Sequence, residues 1–220
     1  MKLARETAMP AMDRLSAFIA AGAWGAIVGG AALVISFLLE WLVVPYEKLG
    51  VAGADLTASY LTASSLRLLS TVLFLWALLA LYNRQSIAAG TFGLWGFIVA
   101  FFGTALLAGN AWAEVFVWPT LARVAPNVVT GQSAEASSLE TGISLSAPLF
   151  GIGIVLFGLA TLRAGVYPRW AAGLLIVSIP ATMFLPPTEG TFSESIGQIM
   201  FGSAFMVLAW HTLKGTPTRS

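Results

Sequence analysis

The sequence predicts an all-α protein: a transmembrane bundle of six helices, forming one domain over residues 1–220, with both termini cytoplasmic. Three observations predict it. Hydrophobic residues make up 58% of the chain and charged residues 10%, with a mean hydropathy of +0.85, far from the ~45–50% apolar and ~25% charged composition of soluble domains. The apolar residues fall into six runs, each of at least about the 20 residues a helix needs to cross ~30 Å of hydrocarbon, the first and third longer and so expected to tilt or extend beyond it. Lys and Arg gather in alternate connections, as the positive-inside rule requires of a multi-pass chain.

The first run, Leu15–Val44, follows Lys2, Arg5 and Arg14. It exceeds a signal-peptide core in length and is therefore expected to be an uncleaved first helix. Its small residues form two overlapping stripes, Ala21, Gly25 and Gly29 beside Gly22, Ala26 and Gly30, which permit close helix approach within the chain or in a homodimer through Ala21, Gly25 and Gly29. The second and third runs, Tyr60–Tyr82 and Ala88–Trp118, are separated by Asn83–Ile87, which reads as a tight antiparallel connection. Thr141–Arg163 and Pro168–Pro186 form a second hairpin around Ala164–Tyr167, with Pro148 and Pro180 expected to kink their helices. The last run is Ser193–Leu213. The longer connections, Pro45–Ser59 and Pro119–Glu140, suit surface loops, the latter with a short interfacial helix.

With the N-terminus inside, Lys2, Arg5, Arg14, Arg84, Arg163, Arg169, Lys214 and Arg219 are cytoplasmic, and only Lys48, Arg67 and Arg123 of the 11 basic residues fall in the outer half. Trp41, Tyr46, Tyr60 and Trp118 then mark the outer interface. Tyr82, Tyr167, Trp170 and Trp210 mark the inner one, while Trp24, Trp76 and Trp95 lie deeper as packing or lipid contacts.

Three ionisable residues, Glu40, Arg67 and Glu114, fall within or at the edge of apolar runs, where a charge is expensive and needs a partner or a task. At 1.5 Å per residue they lie roughly 7, 10 and 6 Å inside Pro45, Tyr60 and Trp118. Ser36 shares a face with Glu40, Asn110 with Glu114, and Ser64 and Thr71 with Arg67; Glu194 and Gln198 reach the same outer half from the last helix. Two readings stay open. Arg67 pairs with Glu40 or Glu114 and ties helices together, or Glu40, Arg67, Asn110, Glu114 and Gln198 frame an outward polar site. In that site Arg67 would hold an anionic or polar group, while a surplus carboxylate accepts a proton or cation.

Absences narrow the chemistry. The chain has no Cys and one His, His211, so thiolate sites, bis-His haem and His-rich zinc sites cannot be assembled, and no metal or cofactor is expected. H-E-x-x-H, G-x-S-x-G and P-loop motifs are missing, no Asp lies within a span and no Lys lies mid-span. A net charge of +1 without a basic tract gives no basis for nucleic acid as a partner; membrane lipid is the expected surrounding.

The stretch Leu156–Leu175, LFGLATLRAGVYPRWAAGLL, resembles a hairpin of uncharacterised bacterial multi-pass membrane proteins in its Leu162-Arg163, Ala164-Gly165 and Tyr167-Pro168-Arg169 elements. It covers about a tenth of the chain. The resemblance implies a bacterial inner-membrane protein and no particular activity. The expected role is a non-enzymatic membrane protein that binds a small or lipid-like ligand or serves as an accessory subunit. The alternative is a small proton- or cation-coupled secondary transporter.

Overall fold

A chain in which nearly every segment is apolar must satisfy its backbone hydrogen bonds internally wherever water is excluded, and helices do so most simply. The computed structural model describes residues 2–131, 136–184 and 192–215, and all of its elements are helices. They are α1 (Lys2–Val43), α2 (Tyr46–Ala54), α3 (Ala58–Phe116), α4 (Trp118–Val124), α5 (Pro126–Val129), α6 (Ala136–Ala164), α7 (Arg169–Phe184) and α8 (Phe192–Lys214). Four of them, α1 from Arg14, α3, α6 from Ser144 and α8 from Ser195, are long and apolar enough to cross a membrane, and α7 is a shorter apolar helix. Glu135, Pro186, Glu189 and the side chains of Glu140 and Glu194 lie outside the described residues.

The 59 residues of α3 would extend roughly 88 Å if straight. Instead the backbone reverses at Gly90, where φ is 55° and ψ is −154°, a region essentially restricted to glycine. A first arm, 58–89, and a second arm, 91–116, therefore lie side by side. Tyr82 stacks on Phe97 across the reversal with ring centroids 4.5 Å apart. The connection expected at Asn83–Ile87 is thus displaced to Gly90, and the polar residues there are helical. Gln85 is buried and its Nε2 donates to Thr161 Oγ1 at 2.9 Å, while Arg84 donates to the Thr212 carbonyl near the end of α8. The helix ended only at a residue able to take positive φ.

The other hairpin forms where expected. α6 stops at Ala164, Gly165 takes φ 63°, and Pro168 accepts the first backbone bond of α7 from Ala171 at 3.1 Å. Pro148 and Pro180 lie inside α6 and α7.

Packing joins α1 to α3, α3 to α6, α6 to α7, α7 to α8 and α8 back to α1, closing a ring. Small residues set the approach distances. A Cβ on Gly103 would stand 2.5 Å from the Phe150 Cα, and one on Gly30 would stand 2.6 Å from the Gly202 carbonyl oxygen, so α3 meets α6, and α1 meets α8, nearly backbone to backbone. Gly25 and Gly29 are buried against Leu73 and Trp76 or Phe74 of the first arm, so these two glycines serve close packing within one chain. Ser36 Oγ, donating to the Ala63 carbonyl at 2.8 Å, fixes the register of α1 on that arm.

Inside the ring Phe74, Phe157, Phe205, Leu78, Leu81 and Leu208 are fully buried. Outside it Trp24, Trp95, Phe102, Ile152 and Trp170 are exposed, a distribution stable only where the surrounding medium is itself apolar. One end of the ring is closed by Tyr167, whose hydroxyl lies 3.1 Å from Thr212 Oγ1, and by Arg84. The other end carries α2, α4 and α5, packed on one another.

Candidate functional site

Reversal at Gly90 has its main chemical consequence near the α2/α4/α5 end. Arg67, on the first arm, donates through Nη1 to Glu114 Oε2 on the second arm at 2.7 Å. Its Nη2 donates to Glu40 Oε2 of α1. One guanidinium thus clamps α1 and both arms of α3. Below it lies the Phe37 ring, whose centroid is 4.7 Å from the guanidinium carbon, a cation–π contact that fixes the plane of the fork. The second oxygen of Glu40 accepts the Tyr46 hydroxyl at 2.9 Å. Tyr46 is delivered by the break in helix at Val44-Pro45. Burial, reinforced by the neighbouring Glu40 carboxylate, pushes the Tyr46 phenol well above its usual range, so it remains a donor at physiological pH.

The Arg67, Glu40 and Glu114 side chains keep 17%, 15% and 22% of their exposure. At that depth a lone charge is costly, and charge-assisted bonds offset part of the penalty. One cation against two anions leaves a formal charge of −1. The Arg67 Nε is buried without a hydrogen-bond partner.

Two cavities meet at this clamp. An inner chamber of about 240 Å³ runs between α1, both arms of α3, α6 and α8, and its walls are mostly apolar: Leu33, Phe37, Phe74, Leu107, Phe150 and Phe201. Its polar groups are Thr71, Thr104, Asn110, Gln198, Arg67 and Glu114. An outer chamber of about 230 Å³, beneath α2 and α5, is lined by Glu40, Tyr46, Val51, Asp55, Tyr60, Arg67, Glu114, Trp118 and Val129. Arg67, Glu114 and Trp118 belong to both. They form the wall between a polar chamber and an apolar one. A smaller void of about 100 Å³ continues from Leu107, Phe150, Gln198 and Phe201 toward Ile179 and Thr182 of α7.

All five residues singled out from sequence border these spaces. Glu40, Arg67 and Glu114 are in direct contact. Asn110, whose Nδ2 donates to Ser146 Oγ at 2.6 Å, and Gln198 sit on the wall of the inner chamber instead of in the ion cluster. Sequence reasoning missed Asp55, Phe37, Phe150 and Phe201, and read Tyr46, Tyr60 and Trp118 only as interface markers. The signal for Asp55 was faint but present: a single acid within Val-Ala-Gly-Ala-Asp-Leu, buried in the structure. For the phenylalanines there was none, since Phe is as common against lipid as inside a bundle. Among the described residues, no three His, Asp or Glu side chains form a metal-binding group.

Comparison with family models, with curated proteins and with solved structures returned no match to this chain.

Proposed function

We propose that the protein is a non-enzymatic bacterial inner-membrane protein that takes a small amphiphilic ligand from the outer side, its polar group in the outer chamber and its apolar part in the inner one. The observation that carries this reading is the pair of chambers of opposite character sharing Arg67, Glu114 and Trp118. Together they fall within the ~300–1,000 Å³ of small-molecule sites, and the inner one exceeds the ~150 Å³ void that accepts benzene in an engineered core. A short alkyl chain or a ring fits. A whole phospholipid does not.

Topology follows from the same frame. The two arms of α3 and the short helix α7 each serve as a crossing, giving six with both termini in the cytoplasm; Arg84, Arg163, Arg169 and Lys214 then face the cytoplasm and the clamp faces out. Fully buried Phe157, Phe205 and Leu208 support ligand entry from the outer end.

Thermal melts in lipid nanodiscs test the binding reading with six- to eight-carbon alkyl probes bearing a trimethylammonium, hydroxyl or sulfate head. At least one probe should raise Tm logarithmically with concentration above its Kd, by about 5–10 °C at a hundredfold excess. Ala111→Leu, which fills the inner chamber from a wall position that is 2% exposed, should abolish the rise. No response to any probe overturns the reading. Coupled transport is the second reading, favoured by the placement of an ion pair as the wall between two chambers; proton or cation flux in proteoliposomes, lost in Glu114→Gln, would distinguish it from binding alone.

A further inference from the structure

We infer that the ligand carries a second polar group, neutral and hydrogen-bonding, at the far end of its apolar part, and that the side-chain amide of Gln198 receives it. The inference rests on the binding reading above and specifies the ligand class it leaves open.

Hydrogen bonding inside the two inner spaces singles out this residue. Thr71 Oγ1 donates to the Leu68 carbonyl of its own helix at 2.9 Å, and Thr104 Oγ1 to the Ala100 carbonyl at 2.7 Å. In the void toward α7, Thr182 Oγ1 donates to the Ser178 carbonyl at 2.9 Å. Asn110 bonds Ser146, and Arg67 bonds Glu114. Of the hydroxyl, amide and charged side chains bordering these spaces, Gln198 alone makes no hydrogen bond to the described residues. A polar group is costly on an apolar wall unless something pairs with it.

Its place suits the far end of a ligand. Arg67, Glu114 and Trp118 separate the inner chamber from the outer one, whereas Gln198 stands with Leu107, Phe150 and Phe201 where the inner chamber meets the void toward α7. The support is rigid. A Cβ on the adjacent Gly197 would lie 2.5 Å from the Thr182 backbone nitrogen, so α8 meets α7 nearly backbone to backbone. Three residues on, Phe201 sets its ring against Phe150, centroids 5.3 Å apart and planes at 68°. Scaled from the ~150 Å³ void that takes the six carbons of benzene, the inner chamber of about 240 Å³ holds nine or ten heavy atoms, enough for an eight-carbon chain ending in a hydroxyl.

Solvent is a poor substitute for that group. A water held in a cavity needs two to four polar partners, and the neighbouring polar side chains are already engaged, so a ligand hydroxyl or carbonyl displaces it at little cost. An ionised end is disfavoured. Among the described residues none bordering the void beside Gln198 is charged, and one amide does not offset the desolvation of an ion.

Nanodisc melts test this with eight-carbon probes carrying each of the three heads above and ending in a methyl, hydroxyl or carboxylate group. In the parent protein the hydroxyl-ended probe should bind at least as tightly as the methyl-ended one, and about tenfold or more tighter than the carboxylate-ended one. Gln198→Met, similar in length but unable to pair, should shift the hydroxyl-to-methyl affinity ratio about tenfold toward methyl. Gln198→Leu repeats the comparison with a different shape. Ligand-free Tm should stay within about 2 °C of the parent or rise in at least one of them, because no internal bond is lost. A larger fall in both variants makes the amide a structural element and overturns the assignment. So does an unchanged ratio, or tightest binding of the carboxylate-ended probe, and each leaves the binding reading standing. Absence of binding by every probe overturns both.

Discussion

Replacing Arg67 with Leu removes the one cation that holds Glu40 and Glu114, and the size of the effect can be worked from the geometry. Each charge-assisted bond to the guanidinium is lost, and two carboxylates with 15% and 22% exposure are left facing one another across the space it filled. The protein can limit its loss by protonating one of them. Breaking a buried pair from one side typically costs ~3–5 kcal/mol. At roughly 2–4 °C per kcal/mol for a chain of this length, Tm in nanodiscs should drop by about 10 °C. Acid pH, which protonates carboxylates, should narrow the gap. The triple variant Arg67→Leu, Glu40→Gln, Glu114→Gln should recover more than half of the loss, because no uncompensated charge remains. A single variant melting within about 2 °C of the parent, or a triple variant no better than the single one, would refute the clamp.

Two other expectations follow from packing and from burial. Gly103→Ala should lower Tm by roughly 2–12 °C, a cost of about 1–3 kcal/mol for overpacking, since its Cβ meets Phe150 backbone at 2.5 Å and backbone cannot turn aside; an unchanged melt would show that α3 and α6 are not in close contact. Burial pushes the Tyr167 phenol up from 10.0 to about 12. A raised folded value means that its contribution is complete below pH 10.0 and lost as pH rises through about 12. Tyr167→Phe should therefore flatten the alkaline decline of Tm over that interval, and a slope identical to the parent's would contradict the assignment.

Much of this molecule was legible in its sequence because lipid imposes a simple rule on composition. Apolar runs located α1, α6 and α8, and Gly165 with Pro168 located the turn between α6 and α7. Depth counting put Glu40, Arg67 and Glu114 at one level, and the structure joins them. Rotation about each helix axis was not available from depth alone, which is why the bond from Asn110 to Ser146 was not anticipated, although Asn110 does line the inner chamber with Arg67, Glu114 and Gln198. The shift of the connection from Asn83–Ile87 to Gly90 has a different origin. Polar residues were read as a helix end, but Arg84 and Gln85 find partners on α8 and α6 while remaining helical. Cavities are harder still, because the gap bordered by Phe37, Phe74, Phe150 and Phe201 is the space these side chains leave between them even though Phe201 packs edge-on against Phe74 and Phe150. No single residue announces that space.

The glycine that reverses α3 also makes the clamp a length gauge. Arg67 stands 23 positions before Gly90 and Glu114 stands 24 after it, so the two meet because the arms are matched. Inserting one residue in either arm would slide its charge by about 1.5 Å and swing it by about 100° around the helix axis, carrying it off the facing surface. This stretch of the gene can therefore change length only by near-whole turns, in both arms together.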